Sequence, residues 1–389
     1  MKNSDVFILI PVTGKYNAKG IQVSKDRSIE DFVNVVSNSM KYACNNNIVN
    51  TIKRFNIGEI QLLYYFDDGF TDENSKYVNC SIFITEQAHT NLGIVNIVFK
   101  RFFGEDSQLG DIVFTNKIRI KYNENLYNLD EFLALIGYIK NGLYRILYIN
   151  GSKNSEIIKE NKYKLNYLLC GESSIRTHES FDIDPAYNEN FVDNLCKHDF
   201  CELYATDRAI VMLCEDFKNR FEENNFIESM YYYIIELAIL QYSAIYRIND
   251  IIIKNLANDG KISSKKLLKL IENFGKTIIL WDNKIFSYYF DQYVSDKLIK
   301  IFKTNELRDE YEKNSNHLQQ MIEIKKGIYS NLEGTILNII AFVLAILQIA
   351  QFILTYENIL IGKAVTVSFL TLFSTFLFIF IILYKHNKF

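Results

Sequence analysis

Two long apolar stretches near the C-terminal end stand out in the pattern of hydrophobic and polar residues. Residues 334–356 and 364–384 contain no Asp, Glu, Lys or Arg. A helix of about 20 apolar residues crosses the roughly 30 Å hydrocarbon core of a bilayer, and each stretch is long enough. Neither stretch carries the charged stripe that a buried helix normally exposes to water. The pattern therefore predicts a hairpin of two transmembrane helices.

The charges that flank these stretches predict how the hairpin is oriented. Lys325 and Lys326 precede the first stretch, Lys385 and Lys388 follow the second, and the connecting segment 357–363 holds one Lys. Lys and Arg are enriched on the cytoplasmic side of a membrane. We therefore expect a multi-pass protein of the inner (plasma) membrane, with both termini in the cytoplasm.

A stripe of amide and small side chains distinguishes the first stretch from the second, which is rich in Phe. Amides in hydrocarbon are costly unless they are paired or hydrated, so the stripe is expected to face other helices or water. Pore lining and simple helix–helix contact both remain open. The candidate pore-lining residues are Asn338, Ala341, Ala345, Gln348 and Gln351.

The segment 201–333 has the pattern of helices. Apolar residues recur every three or four positions from Phe221 to Leu256, and again along the charged stretch 291–332. This stretch lacks Pro and is expected to continue into the first apolar stretch as one rod, on the order of 100 Å long. The apolar stripe of such a stalk requires a partner, so we expect a homo-oligomer.

Residues 1–200 show short runs rich in Ile, Val, Tyr and Phe, bounded by Asn, Asp and Gly, which are typical of strands. The fold class is therefore predicted as an α/β (mixed-sheet) N-terminal cytoplasmic domain at 1–200, a helical region and stalk at 201–333, and a two-helix transmembrane hairpin at 334–389. The predicted strands lie at 6–12, 60–66, 78–85, 94–100, 112–122, 144–150 and 163–170.

Composition limits the chemistry that the chain is expected to perform. Its 43 Lys and Arg against 46 Asp and Glu leave no basic excess, so direct binding of nucleic acid is not expected. The six Cys lack the density of a disulfide scaffold. No nucleophile elbow, paired-carboxylate motif or metalloprotease helix is present, so neither catalysis nor a cofactor is predicted.

Four positive side chains are candidate ligand contacts. Lys15 follows the first strand in Thr-Gly-Lys, like the end of a phosphate-binding loop, but Tyr16 stands where Ser or Thr would bind Mg²⁺. Arg176 lies among hydroxyls and an imidazole, and its planar fork suits phosphate. A plain turn around Lys15 and a surface loop around Arg176 are the alternatives. Arg208 and Arg145 are isolated candidates.

Two further motifs resemble metal sites without matching one. Cys196, His198 and Cys201, with Cys214 downstream, depart from the spacing of common zinc pairs, so ordinary buried thiols are favoured. The acidic segment 67–73 lacks the alternating ligands of a calcium loop and is interpreted as a solvated turn. No metal site is predicted.

The layout of a sensing domain, a long stalk helix and two closely spaced spans resembles the CorA superfamily of metal-ion channels. That family carries a Gly-Met-Asn triplet at the outer end of the first span, whereas Tyr356, Glu357 and Asn358 stand there in this chain. A CorA-like branch without the triplet occurs among the membrane effectors of type III CRISPR antiviral systems. These respond to an adenylate messenger built from S-adenosylmethionine and AMP.

The resemblance implies an oligomeric membrane effector that is gated by such a nucleotide messenger and disrupts the membrane of an infected cell. Its expected partners are further copies of the chain, the lipid bilayer and the messenger. Two alternatives stay open at this point: a CorA-type divalent-cation (Mg) channel, and a membrane-tethered scaffold that conducts nothing.

Overall fold

The structure is a computed structural model. It describes residues 4–17, 26–65, 75–88, 90–102, 118–122, 125–150, 194–196, 201–214, 228–257 and 285–356, together with Leu169, Ser368 and Leu372.

A mixed sheet of ten strands forms the centre of the described part. Its order is β6-β5-β2-β3-β4-β1-β8-β10-β9, and the short β7 also pairs with β1. All pairs are antiparallel except β8 with β10, which run parallel. The strands are β1 (Ser4–Gly14), β2 (Ile52–Tyr65), β3 (Ser75–Gln87), β4 (Leu92–Phe102), β5 (Ile118–Tyr122), β6 (Asn125–Asn128), β7 (Tyr138–Lys140), β8 (Arg145–Asn150), β9 (Cys201–Ala205) and β10 (Ala209–Cys214).

The helices of the described part differ greatly in length. The longest has 53 residues and begins three residues after the preceding helix ends. They are α1 (Arg27–Ala43), α2 (Asn46–Val49), α3 (Leu129–Leu135), α4 (Ser229–Ala257), α5 (Tyr289–Ile301) and α6 (Thr304–Tyr356).

Alternation along the central strand β1 gives the sheet two apolar faces. Val6 and Ile8 belong to one buried cluster, which also contains Phe132 from α3. Phe7 points to the other face, where its ring centroid lies 5.5 Å from that of Phe32 on α1 and 5.4 Å from that of Tyr232 on α4. Because a strand places successive side chains on opposite faces, one apolar run supports both layers.

Clustering of contacts divides the chain into two compact units, Met1–Ser315 and Asn316–Phe389. The first contains the whole described sheet, and strands on both sides of residue 200 pair within it. The second contains most of α6. The boundaries near 200 and 333 remain predictions from the sequence.

The part of the chain that the structure describes does not support the predicted transmembrane hairpin. Within the residues that the structure describes, no helix combines the length and the apolar character that crossing a bilayer requires. Helix α6 is long enough, but its first half is rich in charged residues. Most of 364–384, the second predicted span, lies outside the described residues.

This finding corrects three predictions. The fold class built around a CorA-like hairpin is wrong, and the described chain is a mixed α/β protein with a large sheet. The multi-pass inner-membrane location and the ion-channel assignment rested on the same two spans and are corrected with them. The bilayer as a partner and the Mg-channel alternative also required those spans, so neither is carried further.

Candidate functional site

Arg145 is the first residue of β8 and is buried at that end of the strand. It pairs with Leu9 of β1, so it belongs to the face that α4 covers. The whole residue is 1% exposed, which makes it the largest fully buried side chain in the described part of the chain. A buried arginine in that position requires compensation for its charge.

Two aromatic rings supply part of that compensation. The Cζ atom of Arg145 lies 4.5 Å from the ring centroid of Tyr242 on α4 and 3.9 Å from that of Phe302, just after α5. Both distances fall within the range of cation–π attraction. Neither ring accepts a conventional hydrogen bond from the guanidinium.

The hydrogen-bonding capacity of this guanidinium is largely unused. It has five N–H donors, yet among the described residues it makes a single hydrogen bond, from Nη1 to the Leu143 carbonyl at 3.4 Å. Its Nε is buried without a partner, and no described carboxylate forms a salt bridge with it. Among the described residues, Nε therefore has a donor that no acceptor satisfies.

Arg145 remains charged in this environment. Burial lowers the pKa of its guanidinium to about 10, while Tyr242 and Asp207 oppose that change. At neutral pH the site therefore holds a full positive charge. Since the described residues place no anion in contact with it, the charge is only partly balanced.

Arg208, one of the candidates from the sequence, lies at the same end of the sheet. It is exposed in the turn between β9 and β10, and its backbone carbonyl accepts a hydrogen bond from the Ile146 amide at 3.1 Å. Lys140 is nearby along the chain, with its Nζ 4.3 Å from the Tyr144 ring centroid. Burial raises the pKa of Tyr144 to about 12, and the charge of Arg208 partly opposes that rise.

Lys15 is not part of this group. It lies six residues beyond Leu9, the partner of Arg145, which corresponds to about 20 Å along an extended strand. Its amide donates to the Gly137 carbonyl at 3.3 Å, and its side chain is exposed. Gly14 is tightly placed in this turn, because a Cβ there would lie 2.2 Å from the Gly137 oxygen. The role of Lys15 as a ligand contact stays a prediction.

The other predicted site residues are distant or undescribed. Arg176 lies outside the described residues. Asn338, Ala341, Ala345 and Gln348 are exposed on α6, and Gln351 belongs to the same helix. No contact tests these five residues directly, but their assignment to a pore presupposed the transmembrane spans corrected above.

The cysteines predicted to be ordinary thiols lie in a buried cluster. Cys201 and Cys214 face each other across β9 and β10, with 3.5 Å between their sulfur atoms, and the Cys196 sulfur lies 3.2 Å from the Tyr231 hydroxyl. Hydrogen bonds with Cys196 and Cys214, together with burial, raise the pKa of the Cys201 thiol. No metal-binding group occurs within the described ranges, and His198 lies outside them.

Phe302, which lies on Arg145, and Asn249, which holds the start of α6, were missed by sequence reasoning. Asn249, seven residues after Tyr242 on α4, donates from Nδ2 to the Leu307 carbonyl at 2.9 Å. Two helical turns separate Tyr242 from Asn249, so they lie on one side of α4, a signal that was available. Phe302 contacts a strand that lies more than 150 residues earlier in the chain, and no local sequence pattern predicts such a contact.

A buried positive charge with an unsatisfied N–H donor has the chemistry that a carboxylate or a phosphate complements. The resemblance to CorA-like effectors stays a prediction. The chain matches no protein-family model, no curated protein and no solved structure.

Proposed function

We propose that this chain is a ligand-responsive regulatory protein that binds a small anionic molecule at Arg145. The observation that carries the proposal is a buried, protonated guanidinium whose Nε has no partner and which has no carboxylate in contact among the described residues. The proposal concerns binding, and it assigns neither a catalytic step nor a cofactor.

The physical argument rests on the cost of burying a charge. Moving an ion into a protein interior costs several kcal/mol of free energy, and a cation–π contact offsets about 2 kcal/mol of this cost. An anion that accepts hydrogen bonds from Nε and Nη2 would contribute both Coulombic attraction and two charge-assisted bonds. Arg208 and Lys140, at the same end of the sheet, would attract such a ligand.

The finer proposal concerns the identity of the ligand. An adenylate messenger of the type built from S-adenosylmethionine and AMP carries a phosphate and a carboxylate, and each matches the fork of an arginine. This class of ligand was suggested by the family resemblance drawn from the sequence; the observation that supports it here is the unpaired, buried Nε of Arg145. Arg145 and Arg208 are the two residues proposed to contact the anionic group of this ligand.

The proposed output is self-association through α6. Large apolar side chains on this helix are strongly exposed, with exposed fractions of 64% for Leu337, 67% for Phe342 and 61% for Ile349. Exposed apolar surface of this kind favours association, and a homo-oligomer remains the proposed state. The same surface favours the second candidate, a scaffold that assembles without any ligand.

Titration calorimetry on the full chain tests the function. Inorganic phosphate, AMP and an S-adenosylmethionine–AMP conjugate are titrated into the wild type and into Arg145→Met. We expect saturable binding of at least one probe to the wild type and its loss in the variant. Arg208→Gln should weaken binding several-fold. If none of the three probes binds the wild type, or if Arg145→Met binds equally well, the proposal is wrong.

A further inference from the structure

The connection between α5 and α6 lies directly against the Arg145 site. Only Phe302 and Lys303 separate the end of α5 from the beginning of α6. Phe302 is 1% exposed and lies on the guanidinium, whereas Lys303 has a φ of +55°. Residues other than Gly rarely adopt this left-handed backbone conformation. The conformation of Lys303 is therefore stabilised by tertiary packing rather than by its own backbone preference.

The packing around this connection leaves polar groups unsatisfied. Thr304 Oγ1 and Asn249 Oδ1 are both buried without a hydrogen-bond partner in the described part of the chain. The Asn249 amide nevertheless fastens α4 to the first turn of α6 through the Leu307 carbonyl. Burying polar groups without partners costs free energy. The free-energy difference between this conformation and one in which both groups form hydrogen bonds is therefore reduced.

The charge of Arg145 stabilises the observed position of Phe302. Cation–π attraction depends on the net positive charge of the guanidinium. An anion bound at Nε and Nη2 neutralises that charge and weakens the attraction to the ring. A ligand can shift an equilibrium only through a difference in its affinity for the two states, and this contact provides such a difference.

We propose that Phe302 is the coupling residue between the anion site and α6: anion binding at Arg145 releases Phe302 and allows the α5–α6 connection to change conformation. This inference rests on the proposed function and adds its mechanism of regulation. Because two residues join the helices, displacement of Phe302 redirects the start of α6. The first turns of α6, up to Ser315, belong to the same compact unit as Arg145, so a change in their direction can be measured there.

A spin-label distance measurement tests the coupling. Labels are attached at Tyr42→Cys, which is 81% exposed on α1, and at Lys313→Cys, which is exposed near the start of α6. Cys170 is replaced by Ser, and the five described native cysteines are buried. Saturating AMP should shift the main distance on the order of 5 Å, since Lys313 lies about 14 Å along α6 from its beginning.

Two variants distinguish coupling from a merely structural role of Phe302. Phe302→Ala removes the ring, so its label distance should already resemble that of the AMP-bound wild type, and its affinity for AMP should rise about tenfold. Phe302→Leu also removes the ring but keeps an apolar side chain, and it replaces the alanine variant in both measurements if that variant does not fold. Phe290→Ala is the matched control, because this aromatic side chain of α5 packs on Tyr231.

The outcomes separate the inference from the proposed function. If AMP binds the wild type but the label distance stays unchanged, or if the Phe302 variants bind AMP with wild-type affinity, the coupling is wrong and anion binding stands. If neither AMP nor inorganic phosphate binds the wild type, both are wrong. An equal shift in Phe290→Ala and the wild type, together with loss of the shift in the Phe302 variants, supports the coupling.

Discussion

The carboxylate of Glu236 on α4 accepts two hydrogen bonds from the guanidinium of Arg54 on β2, at 2.5 Å from Nη2 and 3.1 Å from Nε. Its other oxygen accepts from Thr85 Oγ1 at 2.5 Å. The Arg54 and Glu236 side chains are only 4% and 1% exposed. Arg145 is as deeply buried but has no such partner. The same substitution should therefore have opposite effects at the two arginines.

Replacing Arg54 by Met should destabilise the fold strongly. The change leaves the Glu236 carboxylate buried without its positive partner, and loss of one member of a buried pair costs about 3–5 kcal/mol. Urea unfolding followed by circular dichroism measures the free energy of unfolding. The double variant Arg54→Met with Glu236→Leu should recover much of the loss. A loss below about 1 kcal/mol in the single variant would contradict this account of the pair.

Replacing Arg145 by Met should leave the ligand-free protein as stable as the wild type, or more stable by about 1 kcal/mol. The substitution removes a buried charge whose cost exceeds its two cation–π contacts. Thermal unfolding in phosphate-free buffer gives the comparison. A loss of more than about 2 kcal/mol would show that the guanidinium is a structural element that the fold itself compensates.

Much of the sheet could be predicted from the sequence, because its strands are short apolar runs with β-branched and aromatic residues. The predicted strand 6–12 lies within β1, and 94–100 lies within β4. The strands β9 and β10 follow residue 200, where a helical region was predicted. Their buried residues complete a sheet whose other strands lie far away in the sequence, and local patterns do not reveal such pairing.

The α5–α6 break and the hairpin show two different limits of sequence patterns. A single rod was expected from 291 onward, but Phe302 and Lys303 interrupt it without any Gly or Pro. At the break Phe302 lies on Arg145, a tertiary contact that local sequence patterns do not reveal. The transmembrane prediction relied on the hydropathy of two stretches, and hydropathy alone does not establish a spanning helix. For the site, Arg208 was identified, whereas the aromatic rings around Arg145 were not.

The Asp26 carboxylate makes the stability of the fold sensitive to acid. Burial alone would raise its pKa, but hydrogen bonds from Lys100, Ser81 and Ser28 outweigh burial and lower the pKa to about 2. A carboxylate whose pKa is lower in the folded state stabilises the protein above its unfolded pKa near 4, and this contribution is lost as the pH falls toward 2. We expect a loss of about 2 kcal/mol between pH 4 and pH 2 from this group.

The matched variant for that pH effect is Asp26→Asn, which removes the titration. Its unfolding free energy should be lower than that of the wild type at pH 7, and the difference between the two proteins should shrink as the pH falls from 4 to 2. Chemical denaturation at several pH values provides the measurement. A constant difference across this range would rule out Asp26 as the titrating group.

Gly137 should be sensitive to the smallest side chain. Its φ is +93°, and a Cβ added there would lie 2.3 Å from the Lys15 carbonyl oxygen. Gly137→Ala is therefore expected to cost about 2 kcal/mol. Gly327→Ala is the control, because nothing lies within 4 Å of its added Cβ on α6, and alanine favours a helix by about 1 kcal/mol over glycine. Equal melting temperatures for the two variants would contradict the close approach.

The exposed apolar side chains of α6 should control self-association. Leu337→Gln combined with Phe342→Gln removes two of the most exposed ones while retaining helix-compatible residues. Sedimentation velocity in aqueous buffer should show a smaller particle than the wild type at the same concentration, because association of the variant removes less apolar surface from water. Thr335→Ser, an exposed polar change on the same helix, should leave the particle size unchanged. If the double variant has the wild-type mass, or if both sediment as monomers, α6 is not the self-association surface. If the wild type instead sediments with added liposomes, the apolar surface of α6 binds lipid rather than a second copy.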